Sequence, residues 1–104
     1  MEKFELILAL VNAGFSSVIM DAAREVGARG GTIIHARGTG TKEMESKYGI
    51  VITPDKEVVM ILVNTAIKDD VLSAIYKAGG LATDGQGIAF SLPVNDVVGL
   101  KFDD

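Results

Sequence analysis

Large apolar residues alternate from the start of the chain. Phe4, Leu6, Leu8 and Leu10 share one face of a strand running to Val11, and Ile7 and Val11 make its other face apolar as well. That is the pattern of a strand covered on both sides. Asn12-Ala13-Gly14 breaks it. From Ser16 or Ser17, either of which can serve as the N-cap, the spacing predicts a helix to about Val26. Its apolar stripe is Val18, Ile19, Ala22 and Val26, with Gly27 as the left-handed stop. Gly30-Gly31 opens a second, β-branched strand over Thr32-Ile33-Ile34-His35-Ala36. The segment 38–49 is polar and bounded by glycine, a loop or short helical turn. Apolar residues return at Ile50-Val51-Ile52, Pro54-Asp55 turns the chain, and the continuous run Val58–Val63 predicts a buried third strand. Thr65 can cap a second helix with Ile67, Val71, Ala74, Ile75 and Ala78 inward, ended by Gly79-Gly80. The loop Thr83–Gly87 leads to a fourth strand, Ile88–Leu92. Pro93 interrupts it, and Val97-Val98-Gly99-Leu100 is expected as a short further edge strand.

The order β-α-β-β-α-β, in two similar halves, predicts a single α+β domain over residues 1–104. It is a ferredoxin-like sandwich, an antiparallel sheet with both helices on one face. Such a sheet leaves its second face uncovered. The pattern assigns Ile7, Val11, Val59 and Ile61 to that open face. An apolar sheet of this size left in water would associate, so oligomerisation through the open face is expected.

Composition narrows the function. The chain has 104 residues, 48% of them hydrophobic, enough for one core. No apolar run approaches the ~18 residues of a membrane span, and the short stretch Phe4–Val11 contains Glu5, unlike a signal peptide. There is no cysteine, which excludes disulfides, thiolate metal sites and a cysteine nucleophile. The net charge is −4 with both signs interspersed, which argues against nucleic acid. These readings place a soluble domain in the cytoplasm, without membrane insertion.

The residues then resemble the P-II signalling proteins. The resemblance runs through the opening strand, Gly30-Gly31-Thr32-Ile33-Ile34-His35-Ala36-Arg37-Gly38-Thr39-Gly40, the Pro54 turn, and Gly85-Gln86-Gly87-Ile88-Ala89-Phe90-Ser91-Leu92-Pro93-Val94-Asn95-Asp96. The last segment is the most specific, similar to the family's Gly-Asp-Gly-Lys loop and the strand after it. Gly38-Thr39-Gly40 is similar to the Gly-x-Gly that opens the family's T-loop. The resemblance implies a trimeric, non-enzymatic regulator in nitrogen regulation. It implies an effector bound between subunits, either an adenine nucleotide (ATP, ADP or AMP) or another anion, with no covalent cofactor. It also implies a protein target, a transporter or an enzyme, reached through the 38–49 loop.

The departures carry meaning too. The T-loop is shorter, the lysine after the second Gly-x-Gly aligns with Ile88, and the two C-terminal arginines align with Gly99 and Lys101. Tyr48 beside Gly49 is no clear counterpart of the modified T-loop tyrosine. Such a chain is expected to be a divergent branch that holds nucleotide weakly.

As residues alone, Gly38/Gly40 and Gly85/Gly87 are either glycines that allow a positive-φ turn or backbone nests whose amides approach phosphate. The hydroxyls of Thr39 and Thr41 and the loop residue Gln86 accompany them. Arg37, Lys42 and Lys101 are either solvated surface cations or phosphate partners. Thr32 is either a β-branched strand residue or, by the resemblance, an adenine contact. His35 reads as a strand residue at a sheet or subunit interface, since no spaced cluster of ligands joins it and no metal site is expected. Glu43, Glu45 and Asp69-Asp70 read as solvated charges. No nucleophile, base and orienting group occur together, so an enzyme is not expected. The rival reading is a trimeric scaffold of the divalent-tolerance type, with the same fold and either a metal or no ligand. Between Gly40 and Gly49, Thr41–Tyr48 is expected to be the most mobile part of the ordered core.

Overall fold

A computed structural model describes residues 3–39, 55–79, 81 and 87–100. Strand β1 (Phe4–Asn12) is followed by helix α1 (Ser16–Glu25), β2 (Thr32–Arg37) and β3 (Asp55–Asn64). A single 3-10 turn (Thr65–Ile67) leads into α2 (Lys68–Ala78), and β4 (Gly87–Val94) closes the sheet. The order across the sheet is β2-β3-β1-β4, every neighbouring pair antiparallel. This is the expected α+β ferredoxin-like fold, its two helices packed on one face.

The packed face is not the one the alternation pattern suggested. Ile7, Ala9 and Val11 of β1 and Val59, Ile61 and Val63 of β3 are buried, and they form the core with Ile19, Met20, Ala23, Val71 and Ile75. The open face instead carries Leu6, Leu8 and Leu10, paired with Leu62, Met60 and Val58 of β3 and with Leu92, Phe90 and Ile88 of β4. Both residue sets are apolar, so alternation could show that two faces exist but not which one the helices cover. The connection from β1 through α1 to the parallel β2 is fixed by chain handedness, and that decides it.

Local signals also shift. Helix α1 buries Ser16, Ile19, Met20 and Ala23, the i, i+3, i+4, i+7 stripe, together with Ala22, and Val18 lies outside it at 41% exposure. No serine side chain caps the helix; its N-cap position is Phe15. At the other end Gly27, at φ +111°, closes the expected left-handed stop: its amide donates to Arg24 O and that of Ala28 to Ala23 O. Asn64, not Thr65, caps the entry to α2, its side-chain oxygen accepting the amide of Ala66 at 2.9 Å. Strand β4 runs on through Pro93 to Val94 because it is an edge strand, where a missing ladder donor is tolerated. Residues 95–100 form no strand. Instead Val97 and Leu100 line a cavity of about 450 Å³ with Phe4, Arg29, Leu62 and Ile67.

Candidate functional site

The chemistry-bearing residues gather at the end of the sheet where β1 and β2 finish and β3 and β4 begin. Arg37 pairs with Asp55, Ala36 with Lys56, Lys56 with Asn12, and Val11 with Gly87. Arg37 is exposed and Gly38 follows it directly. Gly38 and Gly87 thus sit at the same end but on opposite edges, with β3 and β1 between them. Three strand spacings separate those edges, about 14 Å. Thr32 lies at the other end of β2, on the open face opposite Met60. One chain therefore brings Arg37 to Gly38 but joins neither to Gly87 or Thr32. Gly40, Thr41, Lys42, Gly85, Gln86 and Lys101, and the whole segment Thr41–Tyr48, lie outside the described residues.

The two described glycines differ. Gly87 has φ +143°, and a Cβ there would collide with the carbonyl oxygen of Leu10 and come within 3.2 Å of Val11 Cα. Its place in the fold demands glycine. Gly38 has no positive φ, so the turn explanation fails for it. The three heavy atoms nearest a Cβ at 38 all belong to the Lys56 side chain, with Cε at 2.8 Å and Cγ at 2.9 Å. Ile88, where the resemblance places a lysine, stands on the open face opposite Leu10 and is 59% exposed.

Two residues here, Lys56 and Glu57, escaped the sequence reading. Lys56 donates from Nζ to the side-chain oxygen of Asn12. Glu57, nearly buried, accepts the amide of Gly14 at 2.8 Å. It also accepts from the hydroxyl and amide of Ser16, so a carboxylate from β3 does the capping that no serine of α1 performs. His35 Nδ1 is 3.8 Å from the other Glu57 oxygen, with its own side chain 87% exposed; it faces the helix side of the sheet. The alternation of Lys56 with Val58, Met60 and Leu62 is visible in sequence, but a strand begun at Val58 leaves Lys56 and Glu57 unassigned between it and the Pro54-Asp55 turn.

The Gly14 amide, then the Ser16 groups and His35, hold the Glu57 carboxyl below its ordinary range, against the opposing effect of burial. A lowered carboxyl contributes stability that is complete above its unfolded value, ~4.3. That contribution is lost as pH falls through the lower folded value. Glu57→Gln keeps an acceptor for Gly14 and removes the titration. Its urea midpoint is expected to decline less than that of wild type between pH 7 and pH 3, and parallel declines would contradict this role.

The domain is ferredoxin-like, with an apolar open face and with Arg37-Gly38 and Gly87 at one end of its sheet. The chain belongs to the P-II family: the family model described as Nitrogen regulatory protein P-II matches residues 4–104. Among solved structures it is similar to Arabidopsis thaliana PII bound to citrate, at 26% identity and a TM-score of 0.71. That match covers 94% of this chain and 81% of the other. Among curated proteins nothing matches.

Proposed function

We propose that this chain is a P-II-type regulator, not an enzyme, which works in the cytoplasm as a homotrimer. It binds a small effector, an adenine nucleotide or another anion, in clefts between subunits. It signals through the 38–49 loop to a protein target, a transporter or an enzyme. One observation carries most of this reading. Arg37-Gly38 and Gly87 stand at one end of the sheet on opposite edges, so a site using both must be assembled from two copies. Leu6, Leu8, Leu10, Phe90 and Leu92 give those copies an apolar face on which to meet. In each cleft, Arg37, Gly38, Gly40 and Thr41 from one loop meet Gly85, Gln86 and Gly87 from the other. Thr32 lies against the base, and Lys101 lies against the phosphates.

A negatively charged effector suits the cations of this site, and the similar Arabidopsis protein is one bound to citrate. Among the described residues no three His, Cys, Asp or Glu side chains gather as metal ligands. Among them, too, no helix is long and apolar enough to cross a membrane. The test is a thermal-shift and calorimetric series with ATP, ADP, AMP, citrate and divalent metals, alongside sedimentation equilibrium. A ligand specific to the native state must raise its stability, by about 2.7 kcal/mol at a hundredfold excess over Kd. Weak adenine-nucleotide binding by a trimer is the expected result. A trimer that binds none of the anions would leave the glycines with a structural role alone, and a monomer would remove the cleft.

A further inference from the structure

We draw no further inference here: the strongest candidate, the largely apolar pocket of about 470 Å³ between α2 and the edge strand β4, lined by Leu72, Tyr76, Leu81 and Ile88, carries nothing, because nothing in the structure shows what covers it.

Discussion

Gly87→Ala is expected to be the most damaging small substitution at this end of the molecule, at about 3 kcal/mol or more. The backbone at 87 has φ +143°, a conformation open to glycine and strained for alanine. Strain is only part of the cost. The new Cβ would run into the carbonyl oxygen of Leu10 and lie 3.2 Å from both Val11 Cα and Leu81 Cδ2. Leu10 and Val11 belong to β1, the central strand against which β4 begins, and Val11 is part of the core. Relief would require moving backbone, not rotating a side chain. Gly38→Ala is the control: the atoms nearest its Cβ belong to the flexible Lys56 stem, and its cost should be about 1 kcal/mol or less. Urea midpoints of the two variants measure the contrast, and a Gly87→Ala loss below 1 kcal/mol would refute it. A consequence follows for ligand studies. Loss of binding in a Gly87 variant reports on the fold, whereas loss in Gly38→Ala reports on the site.

Phe90→Asp is expected to turn the proposed trimer into monomers while each monomer stays folded. Phe90 is paired with Leu8 on the open face, is 38% exposed and points away from the helices. In a free subunit the aspartate can therefore reach water. In the assembly the same group would be pressed against another apolar face with no cation set to receive it. Burying an unpaired charge costs several kcal/mol, and a threefold assembly would incur it at every interface. Sedimentation equilibrium at micromolar concentration should show the change of mass, and far-UV dichroism should show the retained fold. Adenine-nucleotide binding should vanish with the trimer, since its cleft needs two chains. A Phe90→Asp protein that stays trimeric would put the interface on some other surface.

The element order was legible because it rests on local rules. The strand alternation, the stripe Val71/Ile75 and the left-handed Gly27 each depend on residues a few positions apart, and the structure has all of them. The Gly-x-Gly segments and the strand from Ile88 carried enough specific pattern to indicate the P-II family, to which the chain belongs. What the sequence could not decide was relations across the fold. Ile7 and Leu8 are both strong strand residues, and only the crossover through α1 put the first under helices and left the second open. Glu57 accepts the Gly14 amide across a separation of 43 residues, and Lys56 reaches Asn12 across 44, so neither leaves a local signature. The two glycines, which look alike in sequence, were told apart only by what surrounds them. Gly87 abuts backbone that cannot yield, and Gly38 abuts a lysine stem that can. Hydrophobic period and turn chemistry act within a segment, so the sequence displays them. Which face is covered, which carboxylate meets which amide and which space is already filled are set only when separate segments pack.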